Sequence, residues 1–99
     1  MKFLALEHDL PAAGTAEQLT QPLLKAEARR VWELYQSDVI RELYFRADRH
    51  AAVLVLECAN LVEANEVLNT LPLVHERIIE FELIPLEAYP GFARLFADC

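Results

Sequence analysis

Two titratable side chains lie where proton transfer could take place. Glu27 falls in a predicted helix, about 60° around the helical wheel from the centre of an apolar stripe, at ~100° per residue. Desolvation at that position would raise the pKa of its carboxyl group. The competing interpretation is an exposed Glu27 that pairs with Arg30, three residues on. His50 lies at the mouth of a predicted hairpin, where it could act as an acid, base or ligand, or be an exposed turn histidine.

A second group of polar side chains occupies predicted strands. Glu42, Tyr44 and Arg46 alternate along one strand and therefore share a face, as Glu80 and Glu82 do in the last strand. Arg46 could hold a carboxylate through two parallel hydrogen bonds. If the protein is an oligomer, the pattern indicates a group of polar side chains that could bind a ligand in the space between subunits. Interface ion pairs or a solvated face would explain the same spacing.

The sequence carries no motif for metal or phosphate chemistry. The histidines show no HxxE, HxH or HxxxH spacing, and neither glycine belongs to a phosphate-binding loop. No Gly-x-Ser-x-Gly or Cys-His signature is present. We therefore expect no metal and no cofactor.

Hydrophobic periodicity predicts six elements in the order β-α-β-β-α-β. The strands are expected at residues 2–8, Val39–Ala47, His50–Cys58 and Ile78–Leu86, and the helices at Glu17–Gln36 and from Asn60 to Pro72. Asn60 and Glu63 form a capping-box-like start for the second helix. Right-handed crossovers then give a ferredoxin-like α+β fold, with a four-stranded antiparallel sheet and both helices on one face.

The apolar run Ala51–Leu56 predicts how the chain assembles. A strand with no polar face is usually buried on both sides of its sheet. Two helices can cover only one side, so we expect a homodimer or higher homo-oligomer, with a small-molecule site inside it. An apolar tail at 88–99 completes the single domain at 1–99 and packs either on its own subunit or on a neighbour.

Charge and composition exclude several classes of partner. The net charge is −7 with nine Lys plus Arg, which disfavours nucleic acid. The apolar amino terminus is broken at Glu7, too early for a signal sequence or a membrane span. Cys58 and Cys99 have no CxxC spacing and are expected to be reduced thiols. Together these features predict a cytoplasmic protein.

Several short segments resemble one known family. They are Leu24-Lys25-Ala26-Glu27 in the first helix, Phe45-Arg46 at the end of the second strand, His50 at the start of the third, Leu71-Pro72-Leu73, and the acidic strand Ile79-Glu80-Phe81-Glu82. In these residues the chain resembles the muconolactone isomerase family. The likeness covers most of the chain and implies a dimeric α/β barrel, in which two ferredoxin-like sheets pack face to face.

The resemblance also implies an activity. Such a protein moves a proton from a carbon beside a carbonyl group, which needs a base and a donor for the developing negative charge. Glu27 then is the expected base, with His50 or Arg46 as electrophilic helpers. Lys25 matches the family as well, but it lies roughly 160° from Glu27 on the wheel, so the two could meet only across an interface. Tyr44 and Glu42 are expected beside Arg46 in substrate binding.

The chain departs from the family where a ligand is expected. Arg49 replaces a glycine before the histidine, and Ala51, Val53 and Val55 replace polar strand residues. A carboxylate-bearing lactone needs several donors, since an unpaired carboxylate in a dry pocket costs several kcal/mol. These changes argue against muconolactone itself as the substrate.

Two functions remain open at this point. One is a cofactor-free isomerase acting on a small apolar carbonyl compound; the other is a non-catalytic oligomeric binding or scaffold protein. A cofactor-independent monooxygenase or a YCII-related domain would share the architecture. This possibility ranks lower, because the first helix carries no histidine for the His-Asp pair of a YCII-related domain.

Overall fold

The computed structural model describes residues 1–11 and 19–97. Its elements are β1 (Lys2–Asp9), α1 (Gln21–Gln36), β2 (Ile40–Phe45), β3 (Ala52–Glu57), α2 (Leu61–Asn69), α3 (Pro72–His75), β4 (Ile79–Leu86) and a short 3₁₀ helix (Gly91–Leu95). The predicted order of strands and main helices is confirmed. The predicted start of the first helix at Glu17 lies outside the described residues, as does Cys99.

The four strands form one antiparallel sheet in the order β2-β3-β1-β4. The main core lies between one face of this sheet and the helices, where Leu34 of α1 and Leu68 of α2 pack with Phe3, Leu54 and Leu56. A four-stranded sheet in this order with its helices on one face is the ferredoxin-like arrangement. The predicted fold class is therefore confirmed, and the sheet remains open.

A bulge in β2 sets which side chains face the helices. Ile40 pairs with Leu56, but Glu42 pairs with Val55, so Arg41 is an extra residue on β2. Without this bulge Ile40 and Glu42 would share a face. With it, Ile40 is buried in the core while Glu42 faces away from the helices.

Local capping fixes where the helices begin. Thr20 Oγ1 accepts a hydrogen bond from the Leu23 N–H, and Asn60 Oδ1 accepts one from the Glu63 N–H at 2.9 Å, as the capping pattern predicted. Pro72 was expected to end the second helix. Instead α2 ends at Asn69 and Pro72 opens the additional short helix α3.

The face of the sheet that carries no helices has an apolar centre. Side chains paired across the strands share a face, and the register places Leu4, Leu6, Val53, Val55 and Ile84 together there. All five are half-buried in the single chain. We call these five residues the open-face cluster. A two-sided hydrophobic sheet with helices on one side only is what the apolar run in β3 predicted.

The large side chains of the carboxyl-terminal tail, as far as the structure describes it, are mostly exposed. Tyr89, Phe92, Leu95 and Phe96 are 68%, 66%, 73% and 81% exposed. The chain is 63 Å long, with a radius of gyration of 16.4 Å. A compact domain of ~100 residues has a radius of gyration of about 13 Å. The tail therefore projects from the domain as an apolar arm.

Candidate functional site

A cavity of about 930 Å³ lies between α1 and the helix-covered face of the sheet. Most of its wall is hydrocarbon, contributed by eleven aliphatic side chains from α1, the residue Leu19 just before it, the sheet and the α2–β4 region. These are Leu19, Leu24, Ala28, Val31, Leu43, Ala52, Leu54, Leu71, Leu73, Ile78 and Ile79. Five aromatic residues, Trp32, Tyr35, Tyr44, Phe45 and Phe81, also border it. A volume of this size, largely apolar with few polar groups, is typical of small-molecule sites.

Glu27 is one of the few polar side chains in this cavity. Its Oε1 accepts a hydrogen bond from the Leu73 N–H at 3.0 Å. Leu73 lies in the first turn of α3, where backbone N–H groups lack helical partners, and the cap residue Leu71 offers no side-chain acceptor. Glu27 therefore caps α3 from a different helix and fixes its own orientation by doing so.

The position of Glu27 on α1 explains why it is half-buried. Leu23, Glu27, Val31 and Leu34 recur at helical spacing, and all four are half-buried or buried. The predicted stripe was centred on Leu24, Ala28, Val31 and Tyr35. Leu24 and Tyr35 are instead 37% and 47% exposed, at the border of the cavity. The buried stripe is thus rotated towards Glu27, and the carboxyl group lies in its middle.

Burial raises the pKa of Glu27 above its ordinary value of 4.5. The Leu73 N–H opposes this rise by stabilising the carboxylate, and the negative charge of Glu7 adds to it. Arg30, the partner in the competing interpretation, bonds elsewhere: Nε to Thr70 Oγ1 at 2.9 Å, and NH1 to Glu33 at 3.1 Å. Glu27 is therefore a half-buried carboxyl group without a cationic partner in the described part of the chain.

Glu7 is a second carboxyl group in the cavity, and sequence reasoning did not single it out. Its Oε1 accepts a hydrogen bond from the Ala52 N–H at 3.1 Å. This bond lies just past the last β1–β3 pair, Leu6 with Val53. Burial raises the pKa of Glu7, the Ala52 N–H and His50 lower it, and Asp9 raises it.

A signal for Glu7 was present in the sequence. Phe3, Ala5 and Glu7 alternate along β1, and the first two are core residues. A carboxyl group that follows two core residues at strand spacing must face the helices. Only the assignment of a face to each strand, which the apolar β3 could not supply, would have revealed it.

His50 lies where Glu7 meets solvent. Its ring stacks on Phe45, with ring centroids 4.4 Å apart and planes tilted by 41°. Both His50 and Glu7 border the main cavity and also a second cavity of about 400 Å³. Arg49 and His8 border only the second cavity. His50 is exposed, so it can exchange protons with water and still present its ring to the main cavity.

The other predicted site residues lie apart from Glu27 and His50. Lys25 is exposed on α1 and does not border the cavity. Tyr44 donates its hydroxyl hydrogen to Glu42 Oε1 at 2.9 Å, on the open face. The guanidinium of Arg46 donates two hydrogen bonds to the Asp48 carboxylate, at 2.8 and 2.6 Å. The structure thus gathers Glu27 and His50 at one cavity and leaves the remaining four outside or at its edge.

Two of the strand residues that depart from the family pattern lie far from this cavity. Val53 and Val55 belong to the open-face cluster on the opposite side of the sheet. Their apolar character therefore bears on what covers that face, and not on the cavity wall. Within residues 1–11 and 19–97, no group of three or more His, Cys, Asp or Glu side chains could hold a metal ion.

The raised pKa of Glu27 makes a prediction about stability. The folded protein binds the Glu27 proton more tightly than the unfolded chain does. Protonation of Glu27 therefore stabilises the fold fully below pH 4.5, and this stabilisation is lost as pH rises through the pKa of the folded state. In Glu27→Gln, the amide oxygen can still accept from Leu73 but cannot ionise. We expect the free energy of unfolding of the variant to increase relative to that of the wild type as pH rises above 4.5. Denaturant unfolding at a series of pH values measures this difference.

Asp48 provides a control of opposite sign. The hydrogen bonds from Arg46 hold the pKa of Asp48 below its ordinary 3.8. The wild type should therefore be more stable than Asp48→Asn at neutral pH, and this difference in stability should disappear as pH falls through the pKa of Asp48 in the folded state. Carbon NMR of the side-chain carboxyl groups measures both pKa values directly. A Glu27 carboxyl that titrates at or below 4.5 would contradict the burial argument.

The comparisons with known proteins agree with this architecture. No family model and no curated protein matches the chain. The crystal structure of muconolactone isomerase at 3.3 Å resolution superposes with a TM-score of 0.74, over 92% of this chain and 93% of that one. The two are 23% identical, a level at which the likeness establishes the fold alone. The chain therefore has the ferredoxin-like fold of muconolactone isomerase, as its motifs predicted.

Proposed function

We propose that the protein is a cofactor-free isomerase that moves a proton between carbon atoms near the carbonyl group of a small, largely apolar molecule. One observation carries the proposal: the Glu27 carboxyl group, held by the Leu73 N–H, borders an apolar cavity of about 930 Å³. A general base works best when its pKa lies near the working pH, and burial raises a carboxyl group towards that range. The fold of muconolactone isomerase supports the same reaction class.

The proposed step needs no oxidant and no reductant. The Glu27 carboxylate takes a proton from the carbon between the carbonyl group and a double bond, and the electron pair moves to the carbonyl oxygen. The resulting acid returns the proton two carbons further along, which gives the conjugated isomer. His50 is the proposed donor to the carbonyl oxygen as negative charge develops there. It is better placed than Arg46, whose guanidinium is already held by Asp48.

A second candidate function has its own supporting observation. Capping of α3 by Glu27 gives this side chain a structural reason to be where it is. The protein could therefore be a non-catalytic small-molecule binding protein that uses the same cavity. Binding without turnover would distinguish this function from the isomerase.

We also propose that the protein works as a homo-oligomer in which a second copy covers the open-face cluster. The support is physical: the cluster is apolar, and at about 100 residues a domain buries only about 60–65% of its unfolded surface. The exposed arm with Tyr89, Phe92 and Phe96 offers a further apolar contact for a neighbouring copy. In such an assembly Lys25 of one copy could approach the cavity of another, as its match to the family suggests. The cytoplasmic location of the protein and its independence of a cofactor remain predictions.

Turnover of a β,γ-unsaturated cyclic ketone tests the isomerase. The conjugated product absorbs in the ultraviolet, so its formation can be followed directly. We expect Glu27→Gln to lower the rate by about 10²- to 10⁴-fold, the usual contribution of a general base. The rate of the wild type should rise with pH through the raised pKa of Glu27, because the base must be ionised.

Two further variants make this result specific. Glu66→Gln, at an exposed position on α2, should keep the wild-type rate. Lys25→Ala should lower the rate only if a second copy brings Lys25 to the cavity, which a concentration-dependent rate would reveal. An unchanged rate in Glu27→Gln would remove Glu27 as the base. Ligand binding with no product from any such ketone would favour the binding protein.

Light scattering tests the assembly. We expect the wild type at micromolar concentration to have at least the mass of a dimer. Leu6→Glu places a carboxylate in the open-face cluster, where burial without a partner costs several kcal/mol, so it should produce monomers. Val62→Glu makes the same kind of change at a site that is 66% exposed on α2 and should leave the mass unchanged. A monomeric wild type would contradict the proposal.

A further inference from the structure

The charge of the main cavity indicates what kind of ligand it accepts. Three carboxyl groups border it, those of Glu7, Asp9 and Glu27, and His50 is the one basic side chain among its lining residues in the described part of the chain. The chain has nine Lys plus Arg residues, and all nine lie within the described ranges. None of them borders this cavity. Arg49 borders the second cavity, which Glu7, Asp9 and His50 also line, but not the main one. Acidic side chains therefore outnumber basic ones in the wall of the main cavity, which favours positive charge there.

One carboxylate oxygen of Glu7 is available to accept a hydrogen bond from a ligand. Its Oε1 accepts a hydrogen bond from the Ala52 N–H, and no donor among the described residues bonds to its Oε2. Glu27 likewise uses Oε1 for Leu73. The negative charge of Glu7 raises the pKa of Glu27, and that of Asp9 raises the pKa of Glu7. A cation placed beside Glu7 would relieve this repulsion and leave Glu27 free to act as the base.

The rest of the wall suits the remainder of such a ligand. Trp32, Tyr35, Phe45 and Phe81 present aromatic surface to the cavity. Aromatic faces attract cations as well as hydrocarbon. Trp32, Tyr35 and Phe45 are 62%, 47% and 61% exposed, so this attraction acts at a partly hydrated wall. A carboxylate in the same place would meet like charges and no cationic donor, and would therefore lose its hydration without compensation.

We infer that the main cavity binds apolar molecules that carry a cationic amine, with Glu7 as the partner of the ammonium group, and rejects carboxylates. This deepens the proposed function by naming its substrate class, and it rests on that function only where turnover is concerned. The preferred substrate is then an amine-bearing carbonyl compound. Its ammonium group lies at Glu7 and its reacting carbon at Glu27.

Trp32 allows a direct binding experiment, because it is the one tryptophan in the chain and it borders the cavity. The probes are phenylbutylamine, phenylbutanol and phenylbutyrate, which share a shape and differ in charge. Titrated at neutral pH against tryptophan fluorescence, the amine should bind about ten-fold more tightly than the alcohol, the change that one favourable charge pair of ~1.4 kcal/mol produces. The acid should bind more weakly than the alcohol.

Variants assign this preference to Glu7. Glu7→Gln keeps an oxygen for the Ala52 N–H and should remove most of the preference for the amine over the alcohol. Glu66→Gln on α2 should preserve the wild-type order of affinities. Circular dichroism and unfolding by denaturant establish that each variant is folded. If Glu7→Gln proves unfolded, a wild-type preference for the amine that weakens as salt is added serves the same purpose.

The outcomes separate this inference from the isomerase proposal. Binding of the acid as tightly as the amine, a preference that survives in folded Glu7→Gln, or no binding of any probe would overturn the inference. A protein that isomerises a neutral ketone without preferring the amine would retain the isomerase function and lose only the substrate class. A protein that prefers the amine and isomerises nothing would retain the ligand class and lose the catalytic function.

Discussion

The hydrogen bond from the Leu73 N–H to the Glu27 carboxylate is the interaction on which the candidate site depends. An ionised carboxylate in the buried stripe of a helix is costly, and removing the hydrogen-bond donor it has among the described residues would typically cost several kcal/mol. The first turn of α3 supplies that partner, and in return Glu27 satisfies an N–H group that has no acceptor within its own helix. The bond joins α1 to α3, holds the carboxyl group at the cavity wall and leaves its pKa raised by burial. Structural and chemical roles therefore reside in one contact.

The sheet divides the molecule into two surfaces with different roles. The helix-covered face carries the core and the cavity, where Glu7 and Glu27 are each bonded to a backbone N–H group. The open face carries an apolar centre bordered by polar residues, among them His8, whose Nε2 lies 3.2 Å from Glu82 Oε1. This division explains why replacement of polar strand residues by Val53 and Val55 leaves the cavity untouched. A change on one face alters assembly, and a change on the other alters ligand binding.

Much of the fold followed from local sequence patterns. The alternation of Ile79, Phe81 and Leu83 in β4 and the Asn60–Glu63 cap of α2 each depend on neighbouring residues only, and both are observed. The bulge at Arg41 could not be foreseen, because it changes the face of Ile40 relative to Glu42 without a glycine to mark it. Its position determined whether Glu42, Tyr44 and Arg46 would face the cavity.

The site itself was only partly accessible from sequence. Glu27 and His50 were singled out by their surroundings in the chain and by resemblance, and they border the same cavity. Glu7 was missed because its environment is created by α1 and by the end of the β1–β3 pairing, which are remote in sequence. The bond to Leu73 joins residues 46 positions apart, and no local pattern specifies it.

Hydrogen exchange at the Leu73 amide tests the central claim most directly. If Glu27 binds this N–H as described, the amide should exchange more slowly than other N–H groups in the first turns of the helices. Protection should persist in Glu27→Gln, which keeps an acceptor oxygen, and disappear in Glu27→Ala while the amides of the β1–β3 ladder stay protected. Rapid exchange at Leu73 in the wild type, or protection that survives in Glu27→Ala, would contradict the account.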